Sequence, residues 1–198
     1  MVAPAQSADP VQVDVEGDPS IARWRPLVHW LLVIPHAVVL NVLGIVQGVL
    51  TAVAFFTVLF TTRIPPGVFD TIVMVHRYQW RVNTYVYCFR ESYAPFDFTA
   101  SADDPGTDPA RLAIARPERL NRWLPLVKWL LAVPHYVVLI FVSLGAFFAV
   151  LIGWVGVLVR GTYPPGIKDF LVGYQRWTVR VAAYVGLLTD RYPPFSLD

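Results

Sequence analysis

The sequence predicts an all-α membrane protein with minor β: two tandem repeats, each a short strand, a transmembrane helical hairpin or kinked span, and an amphipathic interfacial helix. Three observations carry this. Residues 26–60 and 125–159 are two long apolar runs without Asp, Glu or Arg, interrupted by a titratable group only at His29, His36, Lys128 and His135. A shift of 99 positions lays the chain over itself without a gap. After each apolar run comes Pro-Pro-Gly and then about twenty residues of helical periodicity. The chain is 56% hydrophobic and only 15% charged, with a mean hydropathy of +0.50. Soluble domains carry about 25% charge, so there is too little polar surface here to coat a globule, and a bilayer is the expected solvent.

The repeat sets the domain organisation. Arg23-Trp24 falls on Arg122-Trp123, Trp30-Leu31-Leu32 on Trp129-Leu130-Leu131, and Pro35-His36 on Pro134-His135. Pro65-Pro66-Gly67 meets Pro164-Pro165-Gly166, and Tyr93, Pro95 and Phe96 meet Tyr192, Pro194 and Phe195. There are 28 identities between residues 23–98 and 122–197. The first membrane repeat is therefore 1–99, with its apolar segment at 26–60 and amphipathic helix at 68–90. The second is 100–198, with the corresponding segments at 125–159 and 167–188. Upstream of each apolar run, residues 11–15 alternate apolar and polar, and residues 110–114 do so more loosely, which reads as a short strand in each copy. Residues 99–108, rich in Asp, Pro and Gly, form the linker.

An apolar run of about 35 residues would make a helix of roughly 52 Å, against a hydrocarbon core of about 30 Å. One solution is an interfacial helix ending at Pro35 followed by a single crossing. The other is a tight hairpin turning near Gly44–Gly48, and near Ser143–Gly145 in the second copy. Basic residues flank both ends of both runs: Arg23, Arg25, Arg63, Arg77 and Arg81 for the first, and Arg122, Lys128, Arg160, Lys168, Arg176 and Arg180 around the second. Both ends are then expected on the cytoplasmic side, which requires an even number of crossings and favours the hairpin. Four spans follow, with the copies related by an axis along the membrane normal.

The Pro-Pro-Gly must end one helix before the next begins. In the helix that follows, Asp70, Arg77, Arg81 and Thr84 share a face, and Ile72, Val75, Val82 and Val86 lie opposite. Two arginines and an aspartate cost roughly 2.5–3.5 kcal/mol each at the bilayer centre. The helix is therefore expected at the membrane surface, with Tyr78, Trp80, Tyr85 and Trp177 as interfacial aromatics. No leader is expected, because some twenty polar and acidic residues precede the first apolar run.

Two constellations stand out. Asp70, Arg77, Arg81, Asp169, Arg176 and Arg180 read as a structural charge network, or as a lipid head-group site through the planar fork of arginine. The repeated pair Pro35-His36 and Pro134-His135 reads as a structural element, each imidazole bonding a carbonyl freed by its proline. The remote alternative is that the two imidazoles meet and ligate a haem or metal. A lone cysteine, Cys88, excludes an intrachain disulfide and a multi-cysteine metal cage. No nucleophile elbow, phosphate loop or zinc helix is present, and no carboxylate lies within the apolar runs. No catalytic, cofactor or metal residues are expected.

The motif Arg-Trp-x-Pro-Leu-Val-x-Trp-Leu-Leu-x-x-Pro-His and the closing residues 187–197 resemble the bacterial domain-of-unknown-function 4389 family over nearly the whole chain, twice. The tail at 89–96 departs from that pattern more than its counterpart in the second copy. The resemblance implies a small bacterial membrane protein with a duplicated domain, and no reaction. The expectation is a non-enzymatic accessory or scaffold subunit of a bacterial inner-membrane complex, linked to envelope lipid handling. It would be multi-pass, with termini and arginine helices cytoplasmic, and its partners would be membrane lipids and other membrane subunits, not nucleic acid. The alternative is a small lipid-binding or lipid-moving protein using the arginine helices; a bis-histidine haem protein is the remote third.

Overall fold

The alternation in the two N-terminal arms produces strands that pair with each other rather than within their own copies. A computed structural model describes residues 9–198, so the first eight residues of the first repeat fall outside it. Strand β1 (Val11–Val15) and strand β2 (Ala110–Ile114) form a two-stranded antiparallel sheet with Val13 opposite Leu112. Those two residues occupy the same position of the repeat, 99 apart. A local twofold axis therefore passes between them, normal to the sheet. Val11, Val13, Val15, Ala110, Leu112 and Ile114 share the buried face, while Gln12 and Asp14 are exposed on the other.

In the first copy the chain continues through helices α1 (Pro26–Leu32), α2 (Ile34–Thr61) and α3 (Pro66–Val86). In the second copy a 3-10 turn, Leu124–Leu126, leads into α4 (Lys128–Leu131), α5 (Val133–Arg160) and α6 (Pro165–Val185). The hairpin expected near Gly44–Gly48 and Ser143–Gly145 is not formed; each apolar run is one short helical segment followed by one unbroken 28-residue helix. A mid-helix glycine costs only about 1 kcal/mol relative to alanine, too little to break an otherwise helical run. Pro35 and Pro134 lie in the first turn, where a missing N–H costs nothing, so they start the long helices rather than kink them. Thr62 and Gly161, equivalent in the repeat, end these helices in the left-handed region at φ 61° and 73°.

The arginine helices are also not surface helices. α3 lies between α2 and β2, and α6 lies between α5 and β1. Each helix therefore has the other copy's strand on one side and its own copy's long helix on the other. Tyr78, Trp80, Tyr85 and Trp177, expected at an interface, are buried in the interior. Helical periodicity located the polar face correctly, but that face is covered by the other copy's arm and by the linker. The surface helices are α2 and α5 instead. Val38, Val42, Ile45, Val49, Val53, Phe56 and Phe60 follow one exposed stripe of α2, and Ile140, Phe141, Leu144, Phe148, Ile152, Val155 and Val159 that of α5. These two helices are long and apolar enough to cross a membrane.

Two backbone bonds fix how the copies meet. Ile21 N donates to Gly161 O and Leu120 N to Thr62 O, both at 2.8 Å, again at equivalent positions. The lead-in to each long helix thus docks at the far end of the other. Two helices of about 42 Å can satisfy both relations only if they run antiparallel.

The copies differ where one packs a larger side chain. Ile64 in the first becomes Tyr163 in the second, and Ala54 becomes Gly153. A Cβ at Gly153 would overlap the Tyr163 ring. Gly153→Ala is expected to destabilise the protein by about 1–3 kcal/mol, with Tyr163→Ile restoring most of the loss, because the pair then matches Ala54 and Ile64. Thermal unfolding in detergent reads both; an equal loss in single and double variants would show that the ring is not the obstacle.

Candidate functional site

The charged cluster is assembled at the junction of the copies. Arg77, at the middle of α3, reaches the sheet: its Nε donates to Leu112 O at 2.9 Å and lies 3.2 Å from Asp104. Its Nη2 donates to the Ser101 and Asp103 carbonyls, each at 2.9 Å. One turn on, Arg81 Nη1 donates to Asp97 at 2.6 Å, and its guanidinium also lies within 4 Å of Asp104 and Asp108. Arg90, just past the helix, gives a 2.7 Å contact to each oxygen of Asp108 and donates to Arg81 O. Arg77, Arg81 and Arg90 are 2% exposed or less. The Thr99 hydroxyl, then the Arg81 guanidinium, then the Thr99 N–H hold the Asp97 carboxyl down at about 2 by hydrogen bonding.

The second copy repeats this arrangement in outline. Arg176 donates to Val13 O at 3.2 Å, as Arg77 does to Leu112 O, and Arg180 pairs with Asp9. Asp9-Pro10 and Asp108-Pro109 are equivalent, and in both the aspartate accepts from the backbone N–H two residues on. Each arginine helix is thus closed by an aspartate of the other copy. The two sites differ because residues 97–104, between the copies, give the first site the Asp97 and Asp104 carboxylates and the Ser101 and Asp103 carbonyls. Arg90 is replaced by Thr189 in the second copy.

The six residues grouped in the sequence therefore separate. Arg77 and Arg81 join one network, Arg176 and Arg180 another. Asp70 pairs instead with Arg116 at the end of the sheet, and Asp169 is exposed on the first turns of α6. Arg90, Asp97, Asp104 and Asp108 were not singled out. The repeated Asp-Pro ahead of each strand was the available signal for Asp108.

The Pro-His pairs lie in two aromatic boxes. His36 Nδ1 is 2.6 Å from the Tyr78 hydroxyl, with its ring stacked on Phe96 and flanked by Tyr93. His135 Nδ1 accepts from Trp177 Nε1 at 3.2 Å, stacked on Phe195 and flanked by Tyr192. Every ring around each histidine comes from its own copy, so the imidazoles do not meet as a ligand pair. The carbonyl expected to be freed by proline is not the partner either: Tyr93 and Tyr192 hydroxyls donate to Leu32 O and Leu131 O, closing the helix ends instead. Among the described residues no three His, Cys, Asp or Glu side chains gather as a metal site. Cys88, buried beside His29 with its Sγ 3.3 Å from Nδ1, has its thiol pushed up to about 12 by burial.

Fold and site together define a duplicated helical protein: a pseudo-dimer of strand-swapped copies, held by arginine–aspartate contacts across the junction. The domain-of-unknown-function family DUF4389 matches at residues 23–99 and 122–196, well over half of the chain, and the protein belongs to that family. No curated protein and no solved structure matches it.

Proposed function

We propose that this protein is a non-catalytic, membrane-embedded scaffold, an accessory subunit of a membrane complex whose long helices sit in lipid. One observation carries the reading: α2 and α5 present apolar side chains outward along their length, while the charged side chains gather around the sheet and at the helix ends. Soluble monomers rarely expose a contiguous apolar patch above a few hundred Å². The buried arginines support a structural rather than catalytic role, since each is hydrogen-bonded or ion-paired to backbone carbonyls or aspartates of the same chain. Lipid contact through Arg77 and Arg81 is thereby disfavoured, and exposed Arg23, Arg63, Arg122 and Arg160 at the helix ends are better placed for it.

The test is fractionation from the native host followed by mild-detergent purification. The protein is expected to stay in the membrane pellet through an alkaline carbonate wash and to elute with stoichiometric partners. A carbonate-soluble protein would overturn the membrane reading, and a lone monomer in detergent would overturn the subunit reading.

A further inference from the structure

Resting on that membrane reading, we propose that α2 and α5 lie in the plane of the bilayer, their apolar faces sunk into one leaflet with arginines at both ends in its head-group layer. The pseudo-twofold axis then stands along the membrane normal, and the sheet faces the aqueous side.

The level of each layer decides between lying in and crossing. Gln47, at the midpoint of α2, is 3.1 Å from His76 at the midpoint of α3. The next residue, Arg77, bonds the central residue of β2. The middle of the sheet is therefore level with the middle of α2. Were α2 to cross with its centre at the bilayer midplane, exposed Asp14, Arg111 and Asp103 would be carried to membrane depth beside it. Charges at that depth are expensive unless they pair or face a protein interior, and these face outward. With the helices in the plane, the same groups lie in water, two layers away from lipid.

Charge at the helix ends agrees. Because each lead-in docks on the other long helix, Arg23 lies beside Gly161 and Arg160, while Arg122 follows Leu120 at the end of α2 near Arg63. The two ends of the apolar layer are equally basic. A crossing pair would place one cluster on each side of the membrane, against the usual inward bias of positive charge. In-plane helices place both clusters at one anionic surface, which attracts basic residues. The even number of crossings that the flanking charges demand is met by zero. Trp24, Trp30, Trp123 and Trp129, all exposed, then serve as anchors at the boundary. Each helix of about 42 Å also exceeds the hydrocarbon thickness of about 30 Å, a mismatch that matters only to a crossing.

The two ends can be read separately in the full-length protein in sealed native membrane vesicles. Glu118→Cys marks the end near Arg63, and Thr162→Cys the end near Arg160; both positions are exposed. With a membrane-impermeant maleimide, both are expected to label in one vesicle orientation and both to be protected in the other. Buried Cys88 serves as the unlabelled control. Labelling of the two ends from opposite sides would overturn the proposal while leaving the membrane reading intact. Release of the protein from the vesicles by carbonate would overturn both. Should a cysteine variant fail to accumulate, Arg119→Cys and Arg23→Cys read the same two ends.

Discussion

Asp108→Ala is expected to cost about 3–5 kcal/mol of stability, the scale for stranding a buried charge. Asp108 is nearly inaccessible and receives Arg90 at 2.7 Å on each oxygen, with Arg81 Nε at 3.9 Å. Its Oδ1 also accepts the Ala110 N–H that opens β2. Removing the carboxylate leaves two guanidiniums, each 1% exposed, without their shared anion and unpins the strand. The equivalent change Asp9→Ala serves as an internal control and is expected to cost less. Besides accepting the Val11 N–H, Asp9 pairs with Arg180, which is 8% exposed, and Thr189 stands where the first copy has Arg90. Chemical denaturation in detergent would compare them, and equal midpoints for the two variants would contradict the network described above.

Acid is expected to destabilise the protein between about pH 6.5 and 4, through His76. Burial lowers its pKa from 6.5 to about 4. The unfolded chain then binds the proton more readily than the folded one throughout that interval, so stability falls as pH falls. The full effect is about 3 kcal/mol once pH drops below 4. Asp97 works in a lower window: with its carboxyl held near 2, its contribution is lost only as pH falls from about 4 toward 2. The second copy carries Gln175 at the position of His76, so His76→Gln tests the assignment with a residue the fold already accepts. The variant should flatten the acid limb of the stability curve between pH 6.5 and 4. An unchanged limb would remove His76 as its source. Burial also holds His29 low, so a shallower slope is expected to remain.

The parts of this fold legible in the sequence were those encoded locally. The strands at 11–15 and 110–114 and the Pro-Pro-Gly break follow from residues close to one another, and the 99-residue repeat and the family from the order of residues alone. What was missed depends on contacts between copies. Nothing near Arg77 reveals that Leu112 and the linker cover it, so a buried polar face reads as a solvated one. Gly44 and Gly48 look like a turn when flanking charge is the only guide, because an in-plane helix with basic ends and a hairpin with basic ends share a charge pattern. The aromatic boxes were half visible: Pro-His and Tyr-x-Pro-Phe recur together, but their distance in sequence, 36 to 96, concealed that Phe96 stacks on His36. Tyr78 and Trp177 differ in identity and so escaped an identity search, although both meet the same histidine nitrogen.

The pairing of β1 with β2 about Val13 and Leu112 makes each copy depend on the other. A chain carrying one copy would have a strand without its mate and an arginine helix without its cover, and two such chains would satisfy both by exchanging arms. The twofold relation is the one that two identical chains exchanging arms would have. Within one polypeptide the halves need not be identical. The second copy could acquire Tyr163 against Gly153, and the first could capture its connecting segment as a set of aspartates for its own arginines. Symmetry was the scaffold on which the two halves diverged.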